Sequence, residues 1–236
     1  MTKVIHPTFS PALLSVRDEA PGVRTFRFAS PEGFAFTPGQ FLMFHFGDDA
    51  KTWRAYSLCS SPHAAREHFE VTVGMVGAFS ERLGALEPGR EGGIVVRGPF
   101  GKWIWSGDGH AVLVSGGTGI TPFRAMALLG KGKATICCSA KTPETLLYKN
   151  EYDVWRKNGV NVNDRVTQPG AGTNQGGKTG RWTAAEIFAA ANDAAAVYYL
   201  CGPKAMVGEI KDGLQRLGVT PENIKTENWG DYTELF

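Results

Sequence analysis

Short apolar runs alternate with polar breaks through the first hundred residues. They recur at 13–16, 23–28, 40–46, 53–59, 69–76 and 94–97. Turn signals such as Pro31-Glu32-Gly33, Pro38-Gly39 and Pro88-Gly89 separate them. Runs rich in β-branched and aromatic residues at this spacing predict short strands in a closed or nearly closed antiparallel barrel. One helical pattern interrupts the series, where Phe79, Leu83 and Leu86 recur at steps of four and three.

Beyond about residue 106 the rhythm becomes strand, then helix, repeated. Residues 111–115 form an apolar strand, and Thr121-Pro122 supplies a cap and a first-turn proline for a helix to Leu129. Strands follow at 134–139, 160–167 and 195–201. Helices are expected to open at Thr142-Pro143, at the capping box Thr183-Ala184-Ala185-Glu186, and at Pro203, the last running to about Leu217. Such alternation predicts a parallel sheet with helices on both faces. The stretch 168–180, rich in Gly, Asn and Gln, reads as a surface loop. The fold class is therefore a two-domain β plus α/β chain. An antiparallel β-barrel occupies 1–105, and a parallel-sheet α/β domain occupies 106–236.

Composition narrows the function. The chain has 236 residues, 42% of them hydrophobic, which suffices for two cores. A net charge of +2 argues against nucleic-acid binding through bulk charge. The four cysteines, Cys59, Cys137, Cys138 and Cys201, show no C-x-x-C or C-x4-C spacing, so neither a zinc site nor an iron–sulfur cluster is expected. They lie in apolar runs, which fits a reducing compartment better than a disulfide framework. The N-terminal residues lack the apolar core of a signal peptide, and no apolar run is long enough to cross a bilayer. The expectation is a cytoplasmic protein without membrane insertion.

Four segments carry candidate chemistry. In Arg54-Ala55-Tyr56-Ser57, alternation puts Arg54 and Tyr56 on one strand face and Ser57 on the other. An arginine fork suits phosphate oxygens, and a tyrosine two residues on can lie against a flat ring. Ser57 reaches the same ring only if the strand ends or twists there. The alternative is a plain amphipathic strand. Gly77-Ala78-Phe79-Ser80 opens the helical pattern, where first-turn amides suit a pyrophosphate and Ser80 adds a hydroxyl. A simple helix cap explains it equally well. The segment from Ser115 through Gly117, Thr118 and Gly119 to Pro122 is a glycine-rich strand-to-helix turn, fit for close approach of a diphosphate. It lacks the third glycine of G-x-G-x-x-G, which Pro122 replaces. Cys201-Gly202-Pro203 repeats the arrangement at a later strand end, where ligands of open α/β sheets lie.

With these segments in this order, the chain resembles the ferredoxin–NADP reductase-like flavoproteins from about Phe9 to Trp229. Arg54-Ala55-Tyr56-Ser57 matches that family's R-x-Y-S, Gly77 and Ser80 its G-x-x-S, and Gly98-Pro99-Phe100-Gly101 its G-P-x-G. Gly117, Gly119 and Pro122 match G-x-G-x-x-P, and Cys201-Gly202-Pro203 matches C-G-P. The resemblance implies that Arg54 holds FAD phosphate, Tyr56 packs on the flavin, and Ser57 lies near its reactive nitrogen. It implies that Gly77–Ser80 meet the FAD pyrophosphate, and that Cys201 edges the nicotinamide. Glu227-Asn228-Trp229 resembles the family's E-x-aromatic ending, but seven residues follow it, so Trp229, Phe236 or neither shields the flavin.

The expected activity is hydride transfer from NADH or NADPH to FAD, with Ser57, Cys201 and Glu227 around the transfer point. Electrons then pass to a separate acceptor, such as a ferredoxin or an oxygenase component, since no cluster-bearing segment is present. Strand 134–139 leads into Ser139-Ala140-Lys141 with no acid before Glu144, a slight lean to NADPH through Lys141. FMN in place of FAD stays open, as do an electron-transfer subunit of a larger complex and a non-redox nucleotide-binding module.

Overall fold

A computed structural model describes residues 6–90, 92–129, 132–170 and 178–227. The chain divides into two units, Met1–Ile104 with Arg124–Leu129, and Trp105–Phe123 with Gly130–Phe236.

The first unit is built from β1 (Thr8–Phe9), β2 (Leu13–Ala20), β3 (Val23–Ala29), β4 (Phe41–Phe46), β5 (Asp49–Ser57), β6 (His68–Gly74), the helix α1 (Ala78–Gly84) and β7 (Ile94–Phe100). Every pairing is antiparallel. The order β1-β7-β4-β5 makes one sheet and β2-β3-β6 the other. The expected antiparallel barrel is built from these two sheets. Among the described residues they join at the bridge from Leu58 to Val71, just past the end of β5. Register shifts within β2–β3 and along β4 bend the strands around a shared core. Phe26, Phe28, Phe44 and Phe69 fill that core, each fully buried, with Leu42, Leu58 and Val71 between them.

The second unit contains β8 (His110–Gly116), α2 (Thr121–Ala127), β9 (Lys133–Ala140), α3 (Tyr152–Lys157), β10 (Val160–Val166), β11 (Lys178–Thr179), α4 (Ala184–Ala191), β12 (Val197–Cys201), α5 (Lys204–Arg216) and β13 (Ile224–Glu227). Residues 124–127 of α2 belong to the first unit. The six strands are all parallel, in the order β11-β10-β9-β8-β12-β13. Strands β8 and β9 read as nearly unbroken apolar runs because a parallel sheet is covered on both faces. Cys137 packs in the cluster with Ile187 of α4 and Ile210 of α5. Its neighbour Cys138 points the other way and meets the Tyr152 hydroxyl of α3 at 3.3 Å.

Two expected helices differ. A 3₁₀ turn, Gly117–Ile120, precedes α2, which ends at Ala127 rather than Leu129. Thr142-Pro143 opens only the 3₁₀ turn Pro143–Thr145. There the Thr145 hydroxyl accepts from the Thr142 amide and donates to the Thr142 carbonyl, closing the turn on itself. Leu146 then leaves in an extended conformation, and α3 starts at Tyr152. Thr183 does form its capping box with Glu186. Among the described residues no helix is long and apolar enough to cross a membrane.

Candidate functional site

In the first unit, two segments far apart in sequence meet at Phe79. The Arg54 guanidinium lies 5.8 Å from the centre of the Phe79 ring, and the Tyr56 ring lies 6.2 Å from it. Tyr56 also packs edge-on against Phe44 at 5.4 Å. Arg54 is exposed, and its Nη1 donates to the Trp53 carbonyl. Ala55, Tyr56 and Ser57 are half-buried. Burial pushes the Tyr56 hydroxyl up to about 12, so the ring stays uncharged through the neutral range. β5 ends at Ser57: the Leu58 amide still donates to the Gln40 carbonyl, but Leu58 itself bridges to Val71 of the other sheet. Ser57 is thus the last residue of β5, still in register with Phe41 of β4.

Gly77 caps α1 in an extended conformation that any residue adopts, and a Cβ there would meet nothing within 4 Å. A side chain would fit at this exposed position, so the glycine leaves the backbone there uncovered. Ala78 is exposed beside it. Ser80 differs from expectation. Its hydroxyl accepts from the Val76 and Gly77 amides and donates to the Gly77 carbonyl, so it shapes the turn and is not free for a phosphate.

In the second unit, the strand order makes a switch point. The chain runs from β8 outward to β9 and β10, then returns to place β12 on the other side of β8. Crevices at the carboxyl ends of strands flanking such a reversal receive ligands. A cavity of about 670 Å³ opens there, walled by Gly116, Gly117 and Thr118 after β8, by Ser139–Lys141 at the end of β9, and by Gly202–Met206 after β12. The two glycine-rich turns touch. A Cβ on Gly202 would stand 3.0 Å from the Gly116 amide nitrogen, and Gly202 has φ +153°. Gly117 has φ +58° and open space around it. Gly119 and Pro122 are buried and give no wall. Cys201, expected to border the cleft, is fully buried, and Gly202 forms the wall at that point.

Ser115, Cys201 and Glu227 stand in register across β8, β12 and β13, so their side chains share a face. Burial raises the Glu227 carboxyl to about 7. Its Oε2 and the Ser115 hydroxyl have no hydrogen-bond partner among the described residues. Trp229 and Phe236 lie outside the described residues.

The sequence reading missed two features of this cavity. Arg181 and Trp182 form part of its wall. Arg165 holds them there: its Nη1 donates to the Arg181 carbonyl at 2.8 Å, its guanidinium lies 3.6 Å from the Trp182 ring centre, and Glu186 pairs with it at 3.1 Å. That pairing holds the Glu186 carboxyl down to about 2. No local pattern announces the arrangement, because Arg165 and Glu186 are 21 residues apart. Lys141, Arg181 and Lys204 make the cavity mostly cationic, with Glu209 as the acid on its wall. A glycine-edged, cationic cavity at a switch point fits a dinucleotide diphosphate. The arginine, tyrosine and open glycine of the first unit fit a phosphate joined to a flat ring.

Comparisons with known proteins agree with both fits. Residues 12–105 match the family model described as an oxidoreductase FAD-binding domain, and residues 113–212 that of an oxidoreductase NAD-binding domain. The chain is 30% identical over 242 residues to ferredoxin–NADP reductase B of Sorangium cellulosum, covering 94% of this chain and 97% of that protein. It is 27% identical over 192 residues to the electron transfer subunit of a probable dihydroorotate dehydrogenase B (NAD(+)) of Pyrococcus abyssi, covering 81% and 68%. Its fold is similar to that of a ferredoxin NADP+ reductase from Neisseria gonorrhoeae solved with FAD and NADP, with TM-score 0.77, 18% identity, and 96% and 99% of the two chains covered. It is also similar to an Amycolatopsis cytochrome P450 reductase, with TM-score 0.79, 20% identity, and 96% and 72% covered. The chain belongs to the ferredoxin–NADP reductase-like flavoproteins and is an NAD(P)H-dependent reductase with FAD as its prosthetic group.

Proposed function

We propose that this chain takes hydride from NADPH and delivers electrons to a separate redox protein, with residues 1–105 as the FAD domain and 106–236 as the nicotinamide domain. The observation that carries the reading is the meeting of Arg54, Tyr56 and Phe79, which brings the R-x-Y-S strand and the G-x-x-S helix start to one place. FAD, when bound, accepts the hydride as a pair of electrons and can release them singly. Arg54 holds its phosphate, Tyr56 packs on its ring with Ala55 and Ser57 at the edge, and the open backbone of Gly77, Ala78 and Phe79 admits the pyrophosphate. Ser80 keeps that turn in shape.

In the second unit, Gly117, Thr118, Gly202 and Pro203 receive the dinucleotide directly. Gly119, Pro122 and Cys201 set the backbone behind them. Ser57 in the first unit and Glu227 in the second are the residues we assign to the transfer step, with Cys201 acting there only through the backbone that it shares with Gly202. Burial keeps Glu227 protonated toward neutral pH, which supports a role in holding or releasing one proton at its carboxyl. Trp229 is the candidate cover for the flavin.

The coenzyme assignment rests on charge. Lys141 and Arg181 stand on the cavity wall, and Glu144, which would meet a ribose hydroxyl in an NADH enzyme, does not. All four cysteines are buried and none is in a disulfide, which supports a cytoplasmic location. An absorbance spectrum of the purified chain, followed by anaerobic titration with NADPH and with NADH, tests the whole reading. Flavin bands bleached at lower NADPH than NADH are expected. A colourless protein would sink it. The Pyrococcus relative favours one second reading, an electron-transfer subunit with little free activity. Slow turnover with a dye, together with co-purification of a cluster-bearing subunit, would select it.

A further inference from the structure

The segment that follows Arg54–Ser57 is pinned, within the first unit, by buried charges that no flavin motif contains. Arg124 is 7% exposed and Glu70 3% exposed. Arg124 Nη1 donates to the Cys59 carbonyl at 3.0 Å and to Glu70 Oε2 at 2.6 Å. Glu70 Oε1 accepts from Arg27 Nε at 2.8 Å. The backbone closes the arrangement: the Cys59 amide donates to the Glu70 carbonyl at 2.9 Å, and the Glu70 amide donates to the Ser60 hydroxyl at 3.1 Å. The peptide groups on both sides of Cys59 are thus held, two residues beyond Ser57. Burial opposes ionisation of Glu70, but Arg124 and Arg27 outweigh it and keep the carboxyl below its usual range.

Burying such a cluster is a poor way to gain stability, because desolvation offsets most of the attraction and apolar residues of similar size do as well. What the cluster does provide is direction. A guanidinium holds an acceptor at a fixed distance and angle, which an apolar contact cannot do. The acceptor here is the carbonyl at the joint where β5 ends and the chain passes to β6.

We propose that Arg124 is a positioning residue for flavin reduction: by holding the Cys59 carbonyl it fixes where β5 stops, and so how Ser57 is presented. The proposal rests on the flavin reading above. Arg124 stands two residues beyond Pro122, so the helix that opens after the glycine-rich turn also supplies this anchor.

The test is stopped-flow reduction of the flavin-loaded full chain by NADPH, reading the limiting rate and the dissociation constant separately. The variants are Arg124→Gln, Arg124→Lys, and Arg124→Met paired with Glu70→Leu, which removes the two buried charges together and leaves only Arg27, whose side chain is 41% exposed and can be hydrated. In the first and third, the limiting rate is expected to fall about tenfold or more, as misplacement near a reacting centre does. The NADPH dissociation constant should stay within about twofold of wild type, since the dinucleotide cavity is untouched. Arg124→Lys should recover part of the rate. A merely structural role predicts a lower melting temperature with the limiting rate within about twofold of wild type in the folded paired variant, and that overturns the proposal. Slowing matched by equally weakened NADPH binding also overturns it. Absence of flavin from the wild-type chain would instead defeat the flavin reading itself.

Discussion

A Cβ on Gly119 would stand 2.2 Å from the carbonyl oxygen of Cys201 and 2.7 Å from its carbon. The turn after β8 and the end of β12, some eighty residues apart, are therefore packed backbone to backbone, with no room for a methyl group. This contact shapes the cavity from below, since Gly117 and Thr118 on one side and Gly202 on the other are its walls.

Gly119→Ala should force the two turns apart. An overpacked site of this kind costs about 1–3 kcal/mol, read as a drop in the urea midpoint. The Michaelis constant for the dinucleotide should rise with it. Gly117→Ala is the contrast. It has open space but φ +58°, so it should cost only about 1 kcal/mol of backbone strain. Equal effects from the two would mean that the close approach to Cys201 is unimportant.

Tyr56 is expected to act through its ring. Tyr56→Phe should leave the flavin dissociation constant within about threefold of wild type, whereas Tyr56→Ala should raise it about tenfold or more, the scale of a lost aromatic contact. Fluorescence of released flavin measures both. A large effect of Tyr56→Phe would shift the role to the hydroxyl.

Glu227 makes stability and rate depend on pH with a definite sign. Its carboxyl ionises near 7 in the folded chain against an ordinary value of 4.5. Between those values the folded chain binds more protons than the unfolded one, so stability falls as pH rises from 4.5 to 7 and levels off above. The fall amounts to roughly 3 kcal/mol. Glu227→Gln should flatten the slope in denaturant midpoints across that window. It should also remove an inflection near neutral pH from the limiting rate of flavin reduction. An unchanged slope would remove Glu227 from the account.

Arg181 and Lys141 should set coenzyme choice. Replacing either by Gln is expected to raise the Michaelis constant for NADPH about tenfold, the size of one lost charge-assisted hydrogen bond, and to leave NADH within about twofold. Steady-state assays with both coenzymes decide it. Equal losses for the two would mean that these cations meet the shared diphosphate instead.

Most of the architecture was legible because it is written locally. The glycine turn at Gly117 and Gly119, the capping box of Thr183 and Glu186, and the alternation of short strands each need only neighbouring residues to be seen. Thr142-Pro143 misled for the same reason: it carries a helix-start signal, yet the Thr145 hydroxyl closes the turn before a helix can grow. Ser80 likewise looked like a ligand donor and is occupied by its own backbone. What stayed hidden depends on contacts between distant segments. Arg124 reads as an ordinary helical arginine until Glu70, 54 residues away, is found beside it. Arg165 and its grip on Arg181 and Trp182 are invisible for the same reason. Nor does any short pattern show that Arg54 and Phe79 meet.

The bridge at Leu58 has a further consequence for how this chain can change. On one side of it, side chains keep step with Phe41–Phe46; on the other, with Val71. Substitutions on either side can therefore drift independently while the joint stays put. Inserting or deleting one residue at the joint would reverse the alternation on one side of it, exchanging inward and outward side chains up to the next loop. Length variation in this domain should accordingly accumulate in the hairpin around Gly47 and in the segment before β7, and spare positions 57–60.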